Sequence, residues 1–239
     1  MSKLYYEKKV QLTSEMFNDQ NQLTQQAILN LFQMVAGEHA TQLNIDYRQL
    51  NKRNLMWVVV RNRHHIIQQP KVNDIVIIST WPHKANRIEY DREYRIKSLN
   101  NDCLIIGDSK WCIVDKSTRK IACIKDILVE GDFFEQKNFD TPLKSIQSKD
   151  FSNRNIVFQF QVNSSQIDVN NHLNNTEYAF MIEQCLQSKK MSIQDFEINY
   201  VKETKLNEIL EFKIIEENQI IYIEGYVNLQ LRVRAKVGI

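Results

Sequence analysis

The sequence predicts an α+β fold made of two similar units, each a helix laid on an antiparallel sheet. One apolar stripe at helical spacing runs through Ala27, Ile28, Leu31, Phe32 and Val35, and a second through Tyr178, Met181, Ile182 and Cys185. Each stripe is preceded by a short extended run and followed by four β-rich runs separated by turn residues. The order begins again about 150 residues along the chain, a weak repeat seen in element order more than in identity. A helix on an antiparallel sheet buries one face of each element, so two such units side by side form a pseudo-dimer in one chain.

Tyr5 to Leu12 reads as extended, and the first helix is expected to run from an N-cap at Thr24 to about Leu43. Strands follow at Met56 to Ile67, Asp74 to Trp81, Ile88 to Lys97 and Leu104 to Val114, read as an antiparallel meander of four strands. Turn signals at Gln69-Pro70-Lys71, at Pro82 to Asn86 and at Asn100-Asn101-Asp102 separate them. The polar stretch between Gly131 and Asn155 reads as a connector. The second unit has a strand at Ile156 to Val162 and a helix from Asn175 to about Gln187. Its later strands fall at Phe196 to Val201, Ile209 to Ile215, Ile220 to Val227 and Leu229 to Val237. The expected division is residues 1–135 for the first unit, 136–152 for the linker and 153–239 for the second unit.

Composition narrows the class. The 239 residues are 43% hydrophobic and 25% charged with only 5 Gly and 3 Pro, which rules out collagen-like, low-complexity and disordered chains. A net charge of +2 is too mild for duplex nucleic acid as the main partner. No apolar run approaches the roughly 18 residues of a membrane span, and Met1 to Glu7 lacks the features of a signal peptide, so a cytoplasmic protein is expected. Cys103, Cys112, Cys123 and Cys185 have no C-x-x-C spacing and read as reduced, mostly buried thiols. His64 and His65 are adjacent and would point to opposite faces of a strand, which is poor geometry for a shared metal. No metal and no organic cofactor are expected.

The stretch richest in chemistry runs from Asp168 to Tyr178. Residues 168–175 hold a carboxylate, four amides and an imidazole ahead of the second helix. Asn174 with Glu177 fits a capping box, which would aim free helix amides back at the loop. Such amides, joined by an Asn or His donor, suit a developing negative charge. The plain alternative is that Asn and Asp only satisfy a turn. If Leu173 is aligned with Leu23, Asn171 pairs with Asn21 and His172 with Gln22, so one copy has an ionisable group where the other has an amide.

The run Asp168-x-Asn170-x-His172-x-Asn174-Asn175-x-x-Tyr178 resembles the signature loop of the acyl-acyl-carrier-protein thioesterases. Further segments resemble that family at similar places: Asn54 to His65, Ile78 to Pro82, Ser109-Lys110-Trp111 and Asp115 to Lys120. The resemblance spans nearly the whole chain and implies two tandem hotdog units and hydrolysis of an acyl thioester. It puts catalytic residues on Asp168, Asn170 and His172, and a further family Glu on Glu203, with Thr204 standing where the plant enzymes have Cys. Without a thiol there, water activated by a base is the expected route. Glu203 is then the general base, His172 and Asn170 hold the carbonyl and water, and Asp168 fixes the loop or the imidazole. Alternation from Phe196, Ile198 and Tyr200 places Glu203 on the opposite face, unless a bulge or strand end intervenes.

The acyl tail needs an apolar slot against the first helix and sheet, with Met34, Val35, Trp57 and Val59 as candidates beside their ordinary role as core. An acidic acyl carrier protein is the expected partner. The basic clusters available to it are Arg61 with Arg63, Arg87 with Arg92, Lys189-Lys190, and Arg232 with Arg234, although such runs also serve as solvated faces. The absence of a transit segment fits a bacterial member, and a homodimer is compatible with this reading. Two rivals stand beside it: an acyl-coenzyme A thioesterase on the same fold, and a non-catalytic acyl-binding regulatory protein.

Overall fold

Thr24 starts the first helix as its position predicts: its Oγ1 accepts a hydrogen bond from Ala27 N (3.1 Å), satisfying one of the unpaired first-turn donors. The computed structural model describes residues 4–86, 88–122, 129, 131–189 and 191–239; Arg87, Cys123 and Lys190 lie outside the described residues. Helix α1 (Gln25–Gln42) is preceded by β1 (Tyr6–Gln11) and followed by a short helix α2 (Tyr47–Asn51) that periodicity did not reveal. Then come β2 (Leu55–Ile66), β3 (Ile75–Pro82), β4 (Tyr90–Lys97) and β5 (Cys103–Asp115). The second half repeats the order with β6 (Ile156–Gln161), α3 (Glu177–Leu186), β7 (Asp195–Tyr200), β8 (Ile209–Glu217), β9 (Ile220–Val227) and β10 (Gln230–Gly238).

All ten described strands form one antiparallel sheet in the order β1-β3-β4-β5-β2-β7-β10-β9-β8-β6. Read from either edge to the middle, both halves have the same strand order, and β2 meets β7 at the seam, with Arg61 opposite Asn199 and His65 opposite Asp195. Each half is thus a helix on a five-stranded antiparallel array, the hotdog arrangement. The four-strand meander is corrected in one respect. β3, β4 and β5 follow one another as hairpins, but β2 pairs with β5. The chain between β2 and β3 is too long for a tight hairpin and contains Pro70; Ile67 N and Gln68 N bond Leu104 O, carrying the chain past β5 instead.

The apolar stripes do what their spacing requires. Ile28, Leu31, Phe32 and Val35 of α1 are buried against Ile78, Tyr94, Ile96 and Ile105, and Met181 and Ile182 of α3 lie in the same core. At its nearest approach α1 stacks Phe32 on Tyr94 (4.4 Å between centroids), and a Cβ on Gly107 would stand 2.4 Å from the Phe32 ring. Only glycine fits the strand there. Val35 belongs to this core and Met34 packs against it, and neither lines the two cavities at the candidate site.

Polar groups join the halves beneath the helices. Glu183 of α3 accepts from Gln25 N at the start of α1 (3.1 Å), and Gln26 Nε2 donates to Glu177 (2.8 Å). Glu177 is therefore spent on α1, and the expected capping box with Asn174 does not form. His64 of β2 is fully buried, bonded to Gln25 Oε1 (2.5 Å) and stacked on Phe196 of β7, while His65 faces out to Asp195, so the two rings do take opposite faces. Cys112 and Cys185 are buried and Cys103 half-buried, all three unpaired, and burial pushes the Cys185 thiol up to about 12.

Residues 136–151 form a strap across the face of the sheet away from α1. Trp81 Nε1 donates to Gln136 O (2.7 Å), Arg63 Nη2 to Thr141 O (2.9 Å) and Arg234 Nη1 to Ile146 O (3.1 Å), and the strap's own Leu143, Ile146 and Phe151 are buried. Among the described residues no helix is long and apolar enough to cross a membrane.

The partly buried Glu183 yields a pH-dependent stability. Burial, only partly offset by the α1 amides, raises its carboxyl from 4.5 to about 7, so the stability held by its proton is full below 4.5 and lost as pH rises through about 7. Glu183→Gln should therefore be more costly at pH 4 than at pH 8, the gap changing by up to about 3 kcal/mol. Urea denaturation of both proteins at the two pH values checks this; a gap that is constant or widens with pH would contradict it.

Candidate active site

The loop ahead of α3 owes its shape to Asp168. Its Oδ1 accepts from Asn170 N (2.8 Å) and His172 N (3.2 Å), and Asp168 N donates to His172 O (2.8 Å). Asn171 supplies the left-handed backbone at φ 63° that closes the turn. The loop ahead of α1 is the same turn. Asn18 Oδ1 accepts from Gln20 N and Gln22 N (both 3.0 Å), Asn18 N donates to Gln22 O (2.9 Å), and Asn21 has φ 56°. An amide in one copy performs the hydrogen bonding of the carboxylate in the other. Of the two roles expected for Asp168, its side-chain hydrogen bonds among the described residues serve the loop, and none goes to the imidazole.

The copies part at His172. Where Gln22 bonds Asn18 Nδ2 (3.4 Å), His172 Nε2 lies 3.0 Å from Glu203 Oε2. Glu203 reaches it because the alternation of β7 breaks. Val201 N and Lys202 N both donate to Arg232 O (2.8 and 3.2 Å), two residues facing one acceptor, so the side chains after Tyr200 change face. The strand itself ends at Tyr200. Thr204, next along, is fully buried; its Oγ1 accepts from Tyr178 OH (2.7 Å) and its carbonyl from Leu173 N (2.9 Å).

Arg119 completes the cluster and was missed as a site residue. It sits at left-handed φ 58° after a turn in which Asp115 Oδ1 accepts from Ser117 N and Thr118 N. Its Nη1 donates to Glu203 Oε1 (3.1 Å) and its Nη2 stands 3.2 Å from His172 Nε2. The Asp115 turn is legible in the sequence; its apposition to Glu203 comes from the sheet seam. A neutral imidazole nitrogen either donates or accepts, so His172 Nε2 satisfies Glu203 as a donor or Arg119 as an acceptor, one at a time.

Helix α3 offers fewer free amides to the loop than expected. Asn174 takes two of them, its Oδ1 accepting from Thr176 N (3.2 Å) and its carbonyl from Glu177 N (3.0 Å). Asn170 lines a cleft of about 200 Å³ together with His172, Glu203, Trp57 and Val59. Trp57, Asp168, Asn170 and Asn175 also line a larger cavity of about 1020 Å³ that extends along the second half of α1. Two of the four slot candidates, Trp57 and Val59, thus border this space. The expected basic clusters are largely neutralised or inside: Arg63 pairs with Asp108, Lys189 with Glu216, Arg232 with Glu208 and Arg234 with Glu224, and Arg92 is only 8% exposed. Among the described residues no group of three or more His, Cys, Asp or Glu is placed to hold a metal ion.

Asp168→Asn should leave stability within about 0.5 kcal/mol of wild type, because Asn18 makes the same bonds, whereas Asp168→Ala should lose about 1 kcal/mol or more. Thermal and urea unfolding of the two variants decide it; equal losses would remove the turn as the reason for this residue.

The family model for the acyl-ACP thioesterase N-terminal domain matches residues 3–131, and that for the C-terminal domain matches residues 149–235. Similar curated proteins include a chloroplastic acyl-[acyl-carrier-protein] hydrolase of Cuphea viscosissima, 25% identical over 68% of this chain and 42% of that protein. A chloroplastic palmitoyl-acyl carrier protein thioesterase of Arabidopsis thaliana is 25% identical over 62% of this chain and 36% of its own length. The chain thus spans less than half of these relatives. Among solved structures, an acyl-ACP thioesterase from Bacteroides thetaiotaomicron superposes with a TM-score of 0.88 at 23% identity, covering 99% of both chains. The 12:0-ACP thioesterase from Umbellularia californica gives 0.85 at 19% identity, covering 98% of this chain and 96% of that one. At those identities the likeness speaks to the fold.

Proposed function

The chain belongs to the acyl-ACP thioesterase family, and from that premise we propose that it hydrolyses the thioester of an acyl chain carried on acyl carrier protein, releasing the free fatty acid. The observation that carries this reading is the contact of His172 with Glu203 (3.0 Å) in a cleft that shares its wall with a chain-sized cavity. Glu203 acts as general base on a water molecule, and Arg119 positions its carboxylate. Asn170 and His172 bind the thioester carbonyl and the water. The water oxygen adds to the carbonyl carbon, the negative charge on the carbonyl oxygen is held by the side-chain donors, and collapse breaks the carbon–sulfur bond. The proton taken from water leaves with the thiol, and no covalent acyl-enzyme forms.

Thr204 has no part in this route, since its hydroxyl is buried against Tyr178 and, among the described residues, hydrogen-bonds no base. The three described thiols, two buried and one half-buried, likewise stand outside it and are in keeping with a reducing cytoplasm.

The test is free fatty acid release by the purified protein from acyl carrier protein and from coenzyme A bearing the same acyl chain. Faster turnover on the carrier protein is expected; a preference for coenzyme A would move the assignment to the second carrier, and no release from either would defeat it. His172→Ala and Glu203→Gln should each lower turnover by about two orders of magnitude or more. Thr204→Ala should keep most activity while losing about 1 kcal/mol of stability, as Tyr178 gives up its partner. An acyl group trapped on Thr204, or abolished turnover in a folded Thr204→Ala, would replace the water route by a covalent one.

A further inference from the structure

Arg92 of β4 is buried without a counter-charge among the described residues. Its Nη1 donates to His39 Nδ1 (3.1 Å) and to Thr80 Oγ1 (3.2 Å), and the Thr80 hydroxyl in turn donates to Glu93 O (2.9 Å). The Nε–H and both Nη2 hydrogens have no hydrogen-bond partner among the described residues, and no carboxylate there pairs with this guanidinium. Burial presses its pKa down, with Tyr94 the opposing influence. Arg63, Arg232 and Arg234 each hold a carboxylate. Arg63 uses the edge that is vacant on Arg92: its Nε and Nη2 grip the two oxygens of Asp108 at 2.9 and 2.6 Å.

Arg92 lines the cavity of about 1020 Å³. Among the described residues, the carboxylates lining that cavity are engaged elsewhere: Asp46 with Arg48 and Gln49 N, Asp91 with Lys110, and Asp168 with the amides of its own loop. Ala36, Ala40, Ile45, Trp57 and Tyr90 give the same cavity apolar wall. A lone buried cation is costly unless a counter-charge arrives with proper hydrogen-bond geometry, and a side-on guanidinium edge matches two carboxylate oxygens. An alkyl chain alone would fill the apolar wall and leave that edge unsatisfied.

We propose that this cavity binds an aliphatic chain bearing a carboxylate, anchored by the Nε and Nη2 edge of Arg92. The proposal rests on the thioesterase reading only for the origin of the chain: an acyl group with a carboxylate at its far end, or the fatty acid that hydrolysis releases.

Binding of dodecanoate and of dodecan-1-ol to the full chain, measured by displacement of a fluorescent fatty acid, tests it without any need for turnover. Dodecanoate should bind at least about tenfold more tightly, and Arg92→Met should erase the difference. Arg92→Lys, which keeps the charge and loses the fork, should weaken dodecanoate binding while leaving the alcohol unchanged. Equal binding of acid and alcohol to the wild type, no binding of either, or undiminished dodecanoate binding by a folded Arg92→Lys would overturn the proposal. This holds even if Arg92→Met does not fold. Hydrolysis of the monothioester of dodecanedioic acid faster than that of the dodecanoyl thioester would assign the anchor to substrate. Competitive inhibition by dodecanoate with the opposite preference would assign it to the released acid. Intact acid binding with no thioester hydrolysis would defeat the thioesterase reading and leave the anchor standing.

Discussion

The pairing of β2 with β7 is the constraint on which the rest of the molecule depends. It is the join between two five-stranded halves with the same strand order, and its register places Arg61 opposite Asn199 and His65 opposite Asp195. A shift by one residue would put the buried His64 ring on the face opposite its Phe196 partner. The same register brings the β5 end of the first half alongside the bulged end of β7, so Arg119 from one half meets Glu203 from the other. The candidate site is thus shared between the repeats, and neither unit contains it alone.

The duplication explains which features of the site are scaffold and which are chemistry. Both loops make the same turn with the same donors, acceptors and left-handed asparagine, whether Asn18 or Asp168 organises it. Against that shared frame the differences stand out. His172 replaces Gln22, and the carboxylate of Glu203 lies at hydrogen-bond distance from it. The helices have diverged as well: α1 is 18 residues long with a side-chain cap, whereas α3 is 10 residues long and gives Glu177 and Glu183 to the start of α1.

Charge inside the molecule is arranged with the same economy of partners on both faces of the sheet. Beneath the strap, Arg63 and Arg234 bond Asp108 and Glu224 and also the strap's own carbonyls, so segment 136–151 is held by side chains of the sheet it crosses. Beneath the helices, His64 stays uncharged because burial lowers its pKa to about 3, and Gln25 satisfies its Nε2. Arg92 departs from this pattern, facing a cavity with two of its three nitrogens unpartnered among the described residues.

Periodicity, turn residues and the Thr24 cap were enough to determine the two helices, most strand limits and the repeat, because those depend on local spacing and on which side chains avoid water. The Asp168 loop was legible too, since an Asx turn is a contact among near neighbours. What the tertiary structure alone decided was anything set by apposition across the chain. Strand β2 skips β3 because the link after it is drawn past β5. Glu177 leaves the expected capping box and instead accepts from Gln26, 151 positions away. Glu203 reaches His172 only through a bulge against Arg232, and Arg119 and Arg92 take their places from the sheet register. Among the described residues one of these cations ends in an ion pair and the other does not, because long-range pairing, which local spacing does not encode, chooses the neighbours of each.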